Sequence, residues 1–330
     1  MSGEFALIAD LFSGHDHAPG IALGVGDDCA LIRLHGRKCL AVTTDTMVEG
    51  RHFFPGTDPY YLGWRALAVN LSDLAAMGAR PYCCTMSLTL PDGSREFLDP
   101  FAQGFFDLAC QEGVALIGGN MSRGPLSITI EAFGKVREDR AMRRSGAHPG
   151  DNIYVTGGLG TCGLYVKAGQ GEIELSPELS ERCYKHSFIL ESRTAFARKL
   201  SRWCSCAVDI SDGIVGDLRH ILKQSKVGAQ LHLDQLPLAA VLDCSESAEK
   251  LTFRQRCEIA AYGGCDYELL FTLPAHSREE EHMCTLAWKH KVPVSRVGTI
   301  VRAEDSAGAD PLQLYFEGRP VPCEQAFEHF

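Results

Sequence analysis

Aspartates stand at several places in the sequence where an apolar segment ends or presents a helical face. Carboxylates grouped in one cleft repel one another and raise each other's pKa unless cations enter, and hard oxygen ligands in this number suit Mg²⁺ better than zinc. Each aspartate taken singly would more often cap a helix or a turn. Taken together, they predict a shared, partly buried cleft that binds divalent cations. The residues are Asp27 with Asp28, Asp45, Asp73, Asp209 and Asp212.

An acidic cleft filled with metal ions indicates a phosphorylated substrate, because bridging Mg²⁺ neutralises both the carboxylates and the phosphate oxygens during transfer. The sequence has no GxxxxGK(S/T) P-loop and neither the HRD nor the DFG element of protein kinases, which excludes both of those routes. Residues 158–163 match GxGxxG after a predicted strand, but a dinucleotide site also needs a second strand that ends in an acid about twenty residues further on. Residues 170–181 are polar and predict no such strand. The glycines therefore predict a tight strand-to-helix turn, with a phosphate at the helix N-terminus as the alternative.

Basic residues at two places could bind a phosphate. His52 follows the strand that carries Asp45, and although an isolated histidine is usually structural, this one is near enough to the acids to donate to a phosphate or a pyrimidine. Arg143 and Arg144 are either solvated charges or, for one of them, a bidentate ligand of a nucleotide phosphate. We expect any anionic substrate to be bound by such local cations, since the whole chain has a formal net charge of −10.

Short apolar segments position these residues in the first half of the chain. Residues 21–26 predict a strand that ends at the first aspartate pair, and residues 39–44, which are β-branched and apolar, predict a strand that ends at the next aspartate. Residues 60–77 have helical spacing, so Asn70 and Asp73 share one face of a helix. Further predicted elements are strands over 84–90, 114–117 and 127–133 and a helix over about 97–112.

A turn-rich, charged stretch over residues 143–151 predicts the boundary between two domains. The pattern restarts after it, with a strand over 153–156 and another over 206–210 that enters an amphipathic helix. Strands mixed with helices in both halves predict an α/β or α+β protein with domains at 1–145 and 146–330.

Length and composition limit the class of protein. At 330 residues, 45% of them hydrophobic and 22% charged, the chain is long enough for two compact units and lacks the bias of disordered or fibrous sequences. The net negative charge argues against general nucleic-acid binding. No apolar run reaches the ~18 residues that span a bilayer, and acids stand where a signal peptide would have basic residues, so we expect a cytoplasmic protein without membrane segments. The 14 scattered cysteines, without a CxxC pair, predict reduced thiols.

Five blocks of sequence follow one another along nearly the whole chain. They are Gly26–Ala30 (GDDCA), Thr43–Phe53 (TTDTMVEGRHF), Asn70–Ala79 (NLSDLAAMGA), Asp209–Gly213 (DISDG) and Asp266–Leu270 (DYELL). These blocks resemble the thiamine-monophosphate kinase family, which belongs to the superfamily of aminoimidazole-ribonucleotide synthetase. The resemblance implies a fold of two α/β domains and a homodimer in which the N-terminal sheets join into a barrel. It also implies ATP-dependent phosphorylation of thiamine phosphate to thiamine diphosphate with several Mg²⁺ ions, by direct transfer without a phosphoenzyme.

The resemblance further implies a role for each part of the chain. Residues 1–145 would bind metal and ATP and form the dimer, and residues 146–330 would complete the nucleotide and substrate site. The catalytic positions are Asp45, Asp73 and Asp209. The metal ligands are Asp28, Thr43, Thr44, Asp45, Asp73, Asn120, Asp209 and Asp212. The ATP contacts are Gly119, Asn120, Arg144 and Ser211, and the thiamine phosphate contacts are His52, Cys265 and Phe327. In-line transfer needs little covalent chemistry from the protein, so positioning and charge neutralisation should supply most of the rate.

Two positions depart from the family pattern. The family usually has Gly-Gly-Asp-Thr-Thr where this chain has GGNMS over residues 118–122, and it usually has glutamate where this chain has Cys265. Asn120 can coordinate through its amide oxygen but brings no charge, so a metal ion there should bind more weakly. Cys265 leaves the thiamine side one acid short. We therefore expect lower metal affinity or an altered substrate preference relative to ordinary members.

Two other functions are compatible with the same residues. One is an ATP-using synthetase of the superfamily that acts on another small phosphorylated or amidated metabolite, although the TTDT and NLSD blocks fit the kinase better. The other is a nucleotide- or thiamine-phosphate-binding protein that has lost turnover through Asn120 and Cys265. Retention of the remaining acids argues against it, because a pure binder has less need of so many metal ligands.

Overall fold

The computed structural model describes residues 19–305 and 310–323, which form two compact units. The N-terminal unit comprises residues 19–141 and 188–198, and the C-terminal unit comprises residues 142–187, 199–305 and 310–323. Each unit combines helices with one mixed β-sheet of its own, so the chain is a two-domain α/β protein.

The N-terminal unit is built on a six-stranded sheet in the order β1-β2-β3-β6-β4-β5. Its strands are β1 (Ile21–Leu23), β2 (Ala30–Arg33), β3 (Lys38–Val48), β4 (Arg80–Leu90), β5 (Ala115–Arg123) and β6 (Ser127–Arg137), and its two long helices are α1 (Pro59–Ala76) and α2 (Arg95–Glu112). All neighbours pair antiparallel except β4 and β5, which are parallel. The strand order places β5 at one edge of the sheet.

Helix α1 is fixed by a cap at one end and an apolar face along its length. The Asp58 carboxylate accepts the backbone N–H of Tyr60 at 2.8 Å, and Pro59 occupies the first turn, where its missing N–H is not needed. Leu67 and Leu74 are 0% exposed, and full burial of such a side chain contributes about 1.5–3 kcal/mol to folding. The buried face fixes the rotation of α1 and therefore the direction of its polar residues.

Two glycines let α1 and α2 pack closely. A Cβ atom at Gly63 would lie 2.0 Å from the carbonyl oxygen of Phe101, and a Cβ atom at Gly104 would lie 1.9 Å from that of Tyr60. Any larger residue at either position would force the helices apart.

The C-terminal unit is built on a seven-stranded sheet in the order β13-β12-β9-β11-β7-β10-β8. Its strands are β7 (Asp151–Thr156), β8 (Cys206–Asp209), β9 (Val227–His232), β10 (Leu269–Pro274), β11 (Val294–Arg302), β12 (Leu312–Phe316) and β13 (Arg319–Val321). The helices that follow β7 in the sequence are α3 (Thr161–Gly169), α4 (Pro177–Phe188), α5 (Thr194–Leu200), α6 (Ile214–Ser225), α7 (Ser245–Lys250), α8 (Phe253–Tyr262) and α9 (Arg278–His290). Only β9 and β12 pair parallel among the described strands of this sheet.

The core of the C-terminal unit lies between its sheet and α6. Every residue of β7 and β8 is buried, and residues 153–155 and 206–208 within them are consecutive apolar residues rather than an alternation, as in strands that are covered on both faces. Ile214, Leu218 and Ile221 of α6 are 0% exposed, and they form the apolar face that the sequence predicts for this helix.

The extents of several predicted strands are wrong. The strand predicted over 39–44 does not end at Asp45 but continues to Val48, so Asp45 lies within β3. The strands predicted over 84–90 and 127–133 are longer, since β4 begins at Arg80 and β6 ends at Arg137.

The predicted strand over 21–26 ends at Leu23, and the predicted strand over 114–117 continues to Arg123 because its glycines pair with β4. A Cβ atom at Gly119 would lie 1.9 Å from the carbonyl oxygen of Met86, so only glycine allows the strand to pass there. All 14 cysteines are free thiols, as predicted. None of the helices in the described ranges is long and apolar enough to cross a membrane.

Candidate active site

In the N-terminal unit, two aspartates from different elements lie side by side. Asp28 stands in the turn between β1 and β2 and is 7% exposed, whereas Asp73 projects from α1. Oxygen atoms of the two carboxylates lie within 4.8 Å of each other. Thr43 of β3 is also buried, and its hydroxyl donates to Asp73. Carboxylates this close repel each other, and a divalent cation bound between them would remove the repulsion. We call Asp28, Thr43 and Asp73 the N-terminal acidic set.

Strand β3 carries the other predicted ligands of this unit. Because side chains alternate along a strand, Asp45 lies on the same face as Thr43, and Thr44 lies on the opposite face with its side chain exposed. Of the three predicted ligands in this strand, Thr43 and Asp45 therefore have side chains on the face that meets α1.

Asn70 lies one helical turn before Asp73 and is 0% exposed. Its amide group donates to the carbonyl oxygen of Ala66 at 3.1 Å, but its Oδ1 atom accepts no hydrogen bond from the described residues. A buried acceptor left in this state is unfavourable by about 1–3 kcal/mol, and it points to a missing water molecule or ion. Oxygen donors alone, with neither histidine nor cysteine in the set, fit a hard cation such as Mg²⁺.

His52 lies in the turn after β3, where the chain folds back on itself. The backbone N–H of Val48 donates to His52 Nδ1 at 2.9 Å, and the backbone N–H of His52 donates to the Val48 carbonyl oxygen at 2.9 Å. An Nδ1 atom that accepts a hydrogen bond places the hydrogen of the neutral ring on Nε2. The exposed ring is thus oriented to offer an N–H donor to an anionic group.

Gly119 and Asn120 lie within β5, which is exposed at every residue. Asn120 pairs in register with Ser87 of β4, and the side chain of Asn120 lies at the edge strand of the sheet. The two predicted nucleotide contacts are therefore positioned by the close approach of β5 to β4 at the glycine.

In the C-terminal unit, the acids follow one another along the chain. Asp209 ends β8 and is 3% exposed, Asp212 lies in the following loop, and Asp217 stands in the first turn of α6. The Asp217 carboxylate accepts the backbone N–H groups of Ser211 at 3.0 Å and Asp212 at 3.1 Å, both through Oδ2. Burial raises the pKa of Asp217 well above its ordinary value, and the carboxylates of Asp212 and Asp209 raise it further. We call Asp209, Asp212 and Asp217 the C-terminal acidic set.

A positively charged side chain, that of Arg144, lies near the C-terminal acidic set. Arg144 occupies a short 3₁₀ turn that packs on α6, and its carbonyl oxygen accepts the hydroxyl hydrogen of Ser225 at 2.7 Å. Its positive charge opposes the rise in the pKa of Asp217. On the same helix, burial lowers the pKa of His220 to about 4, with Arg144 and Lys223 contributing, so this imidazole is neutral at physiological pH.

The glycine-rich loop over 157–160 is a structural turn, and a carboxylate from the same unit occupies its helix N-terminus. Asp266 Oδ2 accepts the backbone N–H of Gly160 at 2.8 Å, and the N–H of Cys162 also donates to this carboxylate. Two of the N–H groups at this helix N-terminus are therefore bound to Asp266, which argues against a phosphate there and favours the predicted structural turn. Cys265 precedes Asp266 and is half-buried. Phe327 lies outside the described residues.

The sequence analysis did not single out Asp217 or Asp266 as candidate site residues, although their carboxylates accept backbone N–H groups beside the predicted ones. Asp217 is buried, as Asp209 is, and Asp266 is half-buried; both stand next to apolar residues, and that signal could have identified them. Their partners are backbone N–H groups, which leave no trace in residue types.

The fold and site define a class of proteins that is already known. Residues 26–136 match the family described as AIR synthase related protein, N-terminal domain, and residues 148–310 match AIR synthase related protein, C-terminal domain. These matches cover both units and account for the pairing of two α/β domains.

Relatives that align with nearly the whole chain identify one family within this class. The chain is 38% identical over 332 aligned residues to thiamine-monophosphate kinase of Escherichia coli (strain K12), covering 99% of this chain and 98% of the relative. The crystal structure of thiamine-monophosphate kinase from Stenotrophomonas maltophilia K279a is 37% identical, with a TM-score of 0.76, and 96% of this chain and 98% of that chain are covered. The structure of AaThiL complexed with AMPPCP and TMP has a TM-score of 0.82 at 27% identity and covers 99% and 97% of the two chains. The chain belongs to the thiamine-monophosphate kinase family, whose members are phosphotransferases.

Proposed function

We propose that this protein transfers the γ-phosphoryl group of ATP to thiamine phosphate and so forms thiamine diphosphate and ADP. Membership of the family supports the reaction, as does the AaThiL structure, which holds an ATP analogue and TMP. The observation that carries the proposal within this chain is the pair of close carboxylates of Asp28 and Asp73, with the buried Thr43 hydroxyl beside them. A phosphate oxygen of thiamine phosphate attacks the γ-phosphorus, the bond to the ADP oxygen breaks, and no phosphoenzyme forms.

The acidic residues of each unit bind Mg²⁺ in this proposal. The N-terminal acidic set provides oxygen ligands together with Asp45 and Asn120. Thr44 provides its backbone carbonyl oxygen, because its side chain lies on the opposite face of β3. The C-terminal acidic set provides Asp209 and Asp212. Mg²⁺ held by these residues would supply positive charge that neutralises the developing charge on the transferred phosphoryl group. Asp45, Asp73 and Asp209 are the residues whose charge the reaction needs most.

Each substrate has residues of its own. Arg144, Ser211, Gly119 and Asn120 contact ATP, and the oriented Nε2–H of His52 donates to the phosphate of thiamine phosphate. Cys265 and Phe327 contact the thiamine. Because the protein holds both reactants by fixed donors, most of the rate comes from orientation and charge neutralisation.

The active form is a homodimer in which the N-terminal sheets join into a barrel. Strand β5 supports this, because it is an edge strand with apolar side chains open to solvent. Ile117 is 64% exposed and Met121 is 59% exposed, values that are unfavourable for an isolated monomer. Residues 1–145 thus bind metal and ATP and form the dimer, residues 146–330 complete the nucleotide and substrate site, and the enzyme works in the cytoplasm.

Incubation of the protein with ATP, Mg²⁺ and thiamine phosphate, followed by chromatography, tests the proposal. Thiamine diphosphate and ADP in equal amounts are the expected products. Binding of thiamine phosphate without product would instead favour the alternative of a binding protein that has lost turnover through Asn120 and Cys265. Hydrolysis of ATP only when a different acceptor is supplied would favour a synthetase.

A further inference from the structure

The segment Gly264–Tyr267 has an unusual backbone, and we call it the 264–267 arch. Gly264 has φ of +62°, Cys265 has φ of +59° and Tyr267 has φ of +53°. Left-handed conformations are uncommon in residues that carry a Cβ atom, and they persist only where the surroundings hold them. Two such residues flank Asp266, so contacts around the arch must maintain it.

The arch is hydrogen-bonded to the loop of the C-terminal acidic set. The backbone N–H of Cys265 donates to the carbonyl oxygen of Ser211 at 2.6 Å, and the N–H of Tyr267 donates to that of Ile210 at 2.8 Å. A Cβ atom at Gly264 would lie 2.7 Å from the same Ser211 oxygen, so the two backbones are in direct contact. Any shift of the arch must therefore move the loop that begins directly after Asp209.

Asp266 anchors the arch to a different element. Its carboxylate accepts the N–H groups of Gly160 and Cys162 at the N-terminus of α3, which lies 106 residues away in the sequence from the arch. The positive end of the helix dipole favours an anion there. Burial raises the pKa of this carboxyl group to about 7, so the two N–H donors compensate only part of the unfavourable burial.

We propose that Asp266 is a positioning residue, whose bonds to the N-terminus of α3 hold the 264–267 arch and, through it, the Ile210–Asp212 loop in the conformation that phosphoryl transfer requires. The inference rests on the proposed function for its kinetic part. It links the thiamine side of the site, at Cys265, to the metal and nucleotide side, at Ser211 and Asp212, by continuous backbone hydrogen bonds. Asp217 of α6 binds the same loop through the backbone N–H groups of Ser211 and Asp212.

The test compares Asp266→Asn with Asp151→Asn. Asp151 is a matched control, because it is 6% exposed, accepts the backbone N–H of His148 at 2.9 Å and accepts the hydroxyl of Thr272 at 3.1 Å, but stands at the opposite end of β7 from the glycine-rich loop. Asparagine at position 266 has one acceptor oxygen where the carboxylate has two, and that oxygen carries no charge, so its bonds to the N–H groups of α3 are fewer or weaker. We expect the KM for thiamine phosphate to rise roughly tenfold or more in Asp266→Asn, with a smaller change in kcat, because hydrogen bonds to a carboxylate are replaced by weaker bonds to a neutral amide oxygen.

Amide hydrogen exchange gives a readout that needs no turnover. In Asp266→Asn we expect faster exchange at Gly160, Cys265 and Tyr267, whereas Asp151→Asn should leave these three amides protected even if it lowers the melting temperature equally. Unchanged exchange in Asp266→Asn, or equal kinetic effects of the two variants, would overturn the inference. An inactive wild-type protein would refute the proposed reaction alone, and the exchange result would still decide the role of Asp266.

If Asp266→Asn does not fold, the wild-type protein provides the test. The Cys265 and Tyr267 amides should then exchange as slowly as those of β10, because the arch opens only with the core. Exchange as fast as that of exposed loops would show that the arch is not held, and would overturn the inference.

Discussion

In the N-terminal unit the acids come from separate elements, a turn and a helix, whereas in the C-terminal unit they follow one another within one loop and the helix after it. In the N-terminal acidic set the carboxylates of Asp28 and Asp73 lie within 4.8 Å of each other, and the hydroxyl of Thr43 donates to Asp73. The C-terminal acidic set has two backbone N–H donors to Asp217 and the nearby charge of Arg144. The first set therefore depends more on bound cations, and the second depends more on the geometry of its loop.

This difference predicts different responses to substitution. Where charge is balanced chiefly by metal ions, removal of a carboxylate charge should be most damaging even if the shape of the side chain is kept. Where backbone donors bind a carboxylate, a neutral side chain of the same shape should keep much of the structure, and removal of the acceptor should be more damaging.

The largest effect is expected for Asp73→Asn. The variant keeps the shape of the side chain but removes a charge from the N-terminal acidic set, so kcat should fall at least roughly 100-fold while the far-UV circular dichroism stays unchanged. The exposed Asp99, which pairs with Arg95 on α2, provides the control Asp99→Asn, and this variant should keep full activity. Near-normal turnover by Asp73→Asn would remove that residue from the site.

A pair of variants at Asp217 tests the other side of the comparison. Both N–H donors bind one oxygen atom, so Asp217→Asn can keep both bonds through its amide oxygen, whereas Asp217→Ala loses both. We expect kcat/KM to fall about 10–100-fold in Asp217→Ala and only severalfold in Asp217→Asn. If the two variants lost equal activity, charge rather than geometry would control this set.

Asn120→Asp should sharpen the dependence on metal ions. Restoring a carboxylate should lower the Mg²⁺ concentration at half-maximal activity severalfold, because ligand charge tunes cation affinity. Ser122→Asp adds the same charge two residues along the exposed strand β5 and should not lower the Mg²⁺ requirement. Identical Mg²⁺ titrations for the wild type and Asn120→Asp would show that Asn120 does not contact a metal ion.

The smallest effect concerns pH and stability. The pKa of Asp266 is raised to about 7 by burial, so the folded protein keeps a proton that the unfolded chain releases above its lower pKa. The contribution of this group to stability is therefore full in acid and is lost as pH rises towards 7. In urea unfolding with EDTA, the stability of the wild type relative to Asp266→Asn should decrease between about pH 5 and about pH 8. A constant difference would show that the carboxyl group titrates normally.

Local patterns predicted much of the fold and the candidate ligands. The helical spacing of residues 60–77 placed Asn70 and Asp73 on one face, and α1 covers nearly that range. The apolar run over 206–210 predicted β8, which ends at Asp209. Strand limits at residues 21–26 and 114–117 were wrong, because pairing with neighbouring strands, and not propensity, decides where a strand ends.

Periodicity and residue type alone predicted the two α/β halves, because the spacing of apolar side chains shows which face of an element is buried. The same patterns identified the acids that stand beside apolar segments. Only the tertiary structure decided which distant backbone groups those acids meet. The carboxylate of Asp266 reaches Gly160 across 106 positions of sequence, and the Thr43 hydroxyl reaches Asp73 from a neighbouring element. Nearly every residue has the same backbone N–H group, so no sequence pattern can predict which of these groups donates to a given carboxylate.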